Sequence, residues 1–237
     1  MTQMGREVLR VSNLHAYYGE SHILQGVGFV VRHGELITLL GRNGAGRTTT
    51  LKAILGMVGR RSGSIVVKGK ETIAMQTYRV ARLGLGYCPE ERGIFANLSA
   101  TENLLLPPSI GPGGMSLEEI YKMFPNLAER TTSSGTRLSG GEQQMLALAR
   151  ILRTGADILL LDEITEGLAP VIVNALETAI RTLKSKGYTI ILVEQNFQFT
   201  CDIADRHYVI ENGRVLHTVA HADLKAETPK LQRLLGL

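Results

Sequence analysis

Leu36-Ile37-Thr38-Leu39-Leu40 runs directly into Gly41-Arg42-Asn43-Gly44-Ala45-Gly46-Arg47-Thr48. The first five residues read as a buried strand, and Ala53, Ile54 and Leu55 beyond the glycines read as one face of a helix. A glycine-rich loop that leaves a strand and opens a helix is the context a phosphate-binding loop requires. Glycines let the backbone approach closely, consecutive N–H groups turn inward, and the helix N-terminus adds positive potential, so a triphosphate is the natural occupant. Thr48 then offers its hydroxyl to Mg²⁺, and Thr49 beside it joins the nucleotide-binding set. The spacing fits throughout, but the identity departs once. Position 47 calls for Lys and carries Arg, which is permanently charged, planar and bulkier than an ammonium. Nucleotide binding is expected to survive the exchange; the hydrolysis rate is the property it leaves open.

Outward from this loop, short apolar runs alternate with helical patterns, which predicts an α/β core with a largely parallel sheet. Val8 to Tyr17 and Val27 to Val31 read as antiparallel strands of an N-terminal β subdomain, with a turn at Tyr18-Gly19. Between two helix-like pieces, Thr101 to Phe124 holds Pro107, Pro108, Gly111, Pro112, Gly113 and Gly114, which break regular structure. An inserted helical subdomain is expected from about Ala100 to Gly155, within one domain covering 1–237. Arg206 to Ile210 and Arg214 to Val219 form a strand pair, joined at Glu211-Asn212-Gly213, where Asn-Gly is a strong hairpin signal.

Two further segments carry chemistry. Leu138-Ser139-Gly140-Gly141-Glu142-Gln143-Gln144 leads into a helical pattern through Leu146, Ala149, Arg150 and Leu152. Ser139 and Glu142 have the spacing of a capping box, which accounts for those two but not for the paired glycines. Glycines at a helix start leave N–H groups open to a phosphate. Ile158-Leu159-Leu160-Leu161-Asp162-Glu163 reads as a buried strand with two acids at its carboxyl end, where ligands bind in open α/β sheets. Asp162 is suited to the Mg²⁺ shell and Glu163 to polarising a water.

Composition narrows the classes. A chain of 237 residues with 44% apolar content can bury a substantial core. Its longer apolar stretches, such as Ile158 to Leu161 and Thr189 to Val193, fall far short of the roughly 18 residues needed to cross a bilayer. Met1 to Glu7 carry charges of both signs and lack the apolar region of a secretory signal, so a cytoplasmic location is expected. Cys88 and Cys201 have no paired spacing and read as reduced core thiols. A net charge of +4 comes from scattered basic residues without an aromatic-and-basic stripe, which argues against a nucleic-acid partner. Arg60 and Arg61 read as a solvated Gly-rich turn facing solvent or anionic lipid.

The phosphate loop, Leu-Ser-Gly-Gly-Glu and Leu-Leu-Asp-Glu, in that order, resemble the ABC ATPase family across nearly the whole chain. Tyr87-Cys88-Pro89-Glu90-Glu91-Arg92-Gly93-Ile94-Phe95, Glu166-Gly167-Leu168-Ala169-Pro170 and Val193-Glu194-Gln195-Asn196 look like the ATPases of branched-chain amino-acid importers, with urea importer ATPases close by the same marks. Lipid and lipopolysaccharide exporter motors share the core motifs but match the Glu-Gly-Leu-Ala-Pro and Val-Glu-Gln-Asn segments less well. The resemblance implies a motor subunit in which ATP lies between the phosphate loop of one chain and the Ser-Gly-Gly segment of another. It puts Tyr18 against adenine, Glu90 where a Gln usually senses Mg²⁺, and Gln195 where a His usually contacts the γ-phosphate, with Arg47 and Ser139 its other contacts. Ile164 stands where the family usually has Pro. The implied partners are a second ATPase subunit, an unlike one in preference to a second copy, two membrane permeases and an external solute-binding protein, at the cytoplasmic face of the inner membrane. Ile94 and Phe95 are candidates to dock a permease helix, or are core residues.

Overall fold

A computed structural model describes residues 5–236; Met1 to Met4, part of the stretch read above for a signal, and Leu237 lie outside the described residues. The chain opens with two long antiparallel strands, β1 (Glu7–Tyr18) and β2 (Ser21–Arg32). The turn falls at Gly19-Glu20, one residue later than expected, and β2 begins at Ser21, six residues earlier than its apolar run, because the ladder pairs Tyr18 with Ser21. Next come β3 (Leu36–Leu40), α1 (Arg47–Ile54), β4 (Arg60–Val67), β5 (Lys70–Glu71), α2 (Thr77–Ala81) and β6 (Leu85–Cys88). Four helices fill the stretch before the next strand: α3 (Ala100–Leu105), α4 (Leu117–Met123), α5 (Pro125–Ala128) and α6 (Gly140–Leu152). The Pro- and Gly-rich residues lie between α3 and α4, outside any helix. Then follow β7 (Ile158–Asp162), α7 (Pro170–Ser185), β8 (Thr189–Val193), α8 (Phe197–Cys201), β9 (Arg206–Glu211), β10 (Arg214–Ala220) and α9 (Leu224–Leu235).

These strands form an antiparallel sheet of order β2-β1-β4-β5 and a larger sheet of order β10-β9-β3-β8-β7-β6, parallel from β9 to β6. The predicted hairpin closes β9 onto β10, with Asn212 and Gly213 both at positive φ (47° and 71°), as a tight primed turn requires. The parallel strands are buried on both faces, and their alternation divides the core. Leu159 and Leu161 of β7 pack toward α6 and α7, while Ile158 and Leu160 pack toward α1 and the antiparallel sheet. Among the described residues no helix is long and apolar enough to cross a membrane.

Two local readings are corrected, and the two alternatives for Ile94 and Phe95 divide between them. Arg60 and Arg61 start β4 rather than forming a solvated turn. The Arg61 guanidinium donates to the carbonyls of Ala53, Ile73 and Met75, while Arg60 lies 4.3 Å over the Tyr17 ring. Cys88 is a core thiol, but Cys201 is only half-buried, at the end of α8 with its thiol on the Gln198 carbonyl. Ile94 packs against the core, whereas Phe95 is 49% exposed with Arg150 over its ring.

Candidate nucleotide site

Four neighbouring parallel strands each deliver one functional segment at their carboxyl ends. β3 releases the glycine loop at Gly41, β8 leads to Glu194 and Gln195, β7 ends in Asp162 and Glu163, and β6 runs out toward Glu90. Side chains far apart in sequence therefore meet because their strands are hydrogen-bonded neighbours. They line a cavity of about 410 Å³ formed by Asn43 to Thr49, Glu90, Glu163 and Gln195, together with Ile23 and Glu166.

The loop is held by close backbone approach. A Cβ at Gly41 would sit 2.3 Å from the Ile210 carbonyl, and Gly46, at φ 105°, passes directly under Leu24. The β9–β10 turn braces the loop from below: the Gly213 N–H donates to the Ala45 carbonyl, and the Gln25 N–H to the Gly213 carbonyl. The first helical bond of α1 runs from the Thr50 N–H to the Gly46 carbonyl, so the N–H groups of Gly46 to Thr49 precede the helical ladder.

Arg47 is only 4% exposed. One of its terminal nitrogens donates to Glu163 at 2.7 Å and to Asn43 at 3.1 Å, and the other, Nη1, is buried without a partner among the described residues. Gln195 donates to the same Asn43 oxygen and, at 3.3 Å, to Glu163. One network thus joins the loop arginine, the strand-end carboxylate and the glutamine. Glu163 sits at φ 47°, with its N–H on the Val193 carbonyl. Burial, reinforced by a hydrogen bond with Glu166, pushes its carboxyl up to about 7, against the pull of Arg47. Carboxylate oxygens of Glu90, Glu163 and Glu166 lie within 4.8 Å of one another, with Glu90 exposed.

Asp162 lies below the cavity, fully buried. It accepts from the Thr48 hydroxyl at 3.0 Å and from the Tyr87 hydroxyl at 2.9 Å, and burial raises its pKa while both bonds oppose the rise. Tyr87, Glu166 and Glu194 stand in the segments quoted above, but the sequence assigns none of them a role at the site. Tertiary placement reveals them: Tyr87 of β6 pairs with Leu160 of β7, Glu194 follows the last residue of β8, and Glu166 lies in the turn after β7, facing Glu163.

Other candidates lie apart from the cavity. Arg42 is exposed on the rim of the loop. Tyr18 ends β1 at 48% exposure and does not line the cavity. Ser139, Gly140, Gly141 and Glu142 open α6 and do not line it either. The capping box is formed there, with Ser139 accepting from the Glu142 N–H and Glu142 from the Ser139 N–H. Gly141 also has a packing role, since a Cβ would meet Ile172 at 2.8 Å.

Comparison with known proteins is consistent with this architecture. The profile of the ABC transporter family matches residues 24–166. A high-affinity branched-chain amino acid transport ATP-binding protein of Pseudomonas aeruginosa is 37% identical over 218 residues, covering 88% of this chain and 91% of that protein. The lipopolysaccharide export system ATP-binding protein of Haemophilus influenzae is 30% identical, covering 89% and 90%. The solved structure of an ATP binding subunit of an ABC transporter superposes with a TM-score of 0.80 at 27% identity, covering 97% of this chain and all of that one.

Proposed function

Because the chain belongs to the ABC transporter family, we propose that it is the ATP-binding and hydrolysing motor of an importer for branched-chain or other amino acids. The observation that supports this most is the convergence of Arg47, Glu163 and Gln195 at one cavity. Gly41 to Thr49 cradle the phosphates, Tyr18 stacks on adenine, and Glu163 polarises the attacking water. The γ-phosphate takes over Arg47 from Glu163, so arrival of the substrate frees the carboxylate that acts on it. Each chain offers its own Ser139, Gly140, Gly141 and Glu142 to the nucleotide on a second subunit, which fits their position outside the cavity. Closure on ATP gathers charge-assisted contacts to the γ-phosphate, and hydrolysis removes them, reopening the dimer.

Thr48 and Asp162 present hard oxygen donors 3.0 Å apart beside the loop, a set suited to Mg²⁺, with Glu90 at its edge. When bound, the ion neutralises phosphate charge. The partners are a second, unlike ATPase subunit, two permeases reached through residues 90–98 and the helical subdomain of about 100–155, and an external solute-binding protein. The chain sits peripherally on the cytoplasmic face of the inner membrane. A urea importer or a lipopolysaccharide exporter motor is the competing reading, the latter favoured by the Haemophilus relative.

The test is the steady-state ATPase rate of the wild type beside Arg47→Lys and Glu163→Gln, with and without the membrane complex, followed by uptake of labelled amino acids in reconstituted vesicles. Turnover lost in Glu163→Gln, with amino-acid uptake, supports the reading. A wild type that is inactive while Arg47→Lys turns over marks instead a binding subunit whose partner hydrolyses ATP.

A further inference from the structure

We propose that Glu194 is a positioning residue that holds Glu163 in its cavity-facing conformation by clamping the turn that follows it. The inference rests on the reading of Glu163 as the group that polarises water. Glu194 is 3% exposed and has no cationic partner among the described residues; its two oxygens accept from the Thr165 N–H at 3.1 Å and the Thr165 hydroxyl at 3.0 Å. Burying a carboxylate is costly, and a neutral side chain would fill the same space at less cost. What the carboxylate supplies is a pair of acceptors, aimed at a single residue of the turn after β7.

That turn needs anchoring. Glu163 stands at φ 47°, a left-handed conformation that is unfavourable for a non-glycine residue and persists only where its surroundings enforce it. A proline ring would stiffen the next position, but Ile164 is there, so the turn depends on noncovalent holds. The end of β8 supplies them on both sides of Glu163: the Val193 carbonyl accepts the Glu163 N–H at 2.9 Å, and Glu194 grips Thr165. Ile164 between them is fully buried. The neighbour of Glu194 is Gln195, which donates to Glu163, so one strand end sets the backbone and the side chain of the same residue.

The test uses the full chain with its membrane complex. Glu194→Ala is expected to lower kcat by roughly tenfold to a hundredfold, the scale of a displaced catalytic group, with KM for ATP and nucleotide affinity by fluorescence within about twofold of wild type. Amide hydrogen exchange of the nucleotide-free chain should rise at 163–166. Glu194→Gln, which keeps one acceptor, should recover part of kcat, and Thr165→Val should lower kcat without adding to Glu194→Ala. If Glu194→Ala does not fold, the last two variants alone decide the matter. Unchanged kcat in them, or equal losses in kcat and nucleotide affinity, overturns the proposal. Glu163→Gln is measured alongside: if it keeps full turnover, the reading of Glu163 fails, and if it is dead while the Glu194 and Thr165 variants keep wild-type kcat, only the clamp fails.

Discussion

Arg47 and Glu163, 116 residues apart in sequence, form a 2.7 Å ion pair in which the arginine is 4% and the glutamate 10% exposed. The loop cation is therefore paired with the strand-end carboxylate that the proposed mechanism needs free. Such a pair resists the loss of either partner alone, because the survivor is left buried and unpaired.

A double-mutant cycle on Arg47→Met and Glu163→Gln measures how tightly this contact couples the two segments. Residues in direct contact couple by about 0.5–3 kcal/mol. Urea unfolding of the nucleotide-free wild type, both single variants and the double variant should give a coupling of about 1 kcal/mol or more. The coupling should shrink in saturating ATPγS, where a phosphate competes for residue 47. Additive effects in both conditions would mean that the pair carries no energy.

Glu163→Gln keeps the binding contacts of the loop and loses the group assigned to water. Hydrolysis should fall by at least a hundredfold, and the variant should accumulate as an ATP-bound dimer. Gel filtration with light scattering, with ATP and Mg²⁺, checks this for the chain alone and mixed with its partner ATPase. A monomer in every condition rules out the sandwich.

Gly41→Ala places a methyl 2.3 Å from the Ile210 carbonyl, a backbone atom that cannot rotate away. The start of the loop must shift away from β9. The expected result is at least a tenfold loss of ATP affinity by isothermal titration, with destabilisation of about 1–3 kcal/mol from overpacking. Gly44→Ala, where no atom lies within 4 Å of the added methyl, should cost less stability and serves as the comparison, although its own φ of 78° adds strain.

His207 is fully buried, with its Nδ1 2.7 Å from the Thr38 hydroxyl, and burial, helped by His221, lowers its pKa from 6.5 to about 4. Above pH 6.5 the ring is neutral in both folded and unfolded chains, and it adds no pH dependence. Below that, the unfolded chain takes up a proton that the folded chain refuses. Stability is thus lost as pH falls from about 6.5 to about 4, by up to about 3 kcal/mol. Unfolding free energies across this range should show a shallower slope in His207→Gln; an identical slope would show that other groups govern the acid limb.

The elements nearest the glycine loop were legible in sequence because local chemistry dictates them. An apolar run as unbroken as Leu36 to Leu40 is a strand buried on both faces, and Asn212-Gly213 closes a hairpin since both residues accept positive φ. Errors arose where long-range pairing overrides composition. Arg61 reads as a surface residue, but its guanidinium reaches the carbonyl of Ala53 and those of the 72–75 stretch, two segments that only the fold brings together. The start of β2 was missed because Ser21 and His22 are strand residues only through their partners on β1.

The candidate site divides the same way. Sequence alone located the glycine loop, the paired acids and the Ser-Gly-Gly-Glu helix start, since each is a contiguous motif set by neighbouring residues. Only the tertiary structure decided that Arg47 answers to Glu163, that Asn43 is shared with Gln195, that Tyr87 steadies Asp162, and that Glu194 holds Thr165. Those contacts depend on strand order, and the order β3-β8-β7-β6 is set by burying both faces of one sheet, a global balance that no short window of sequence contains.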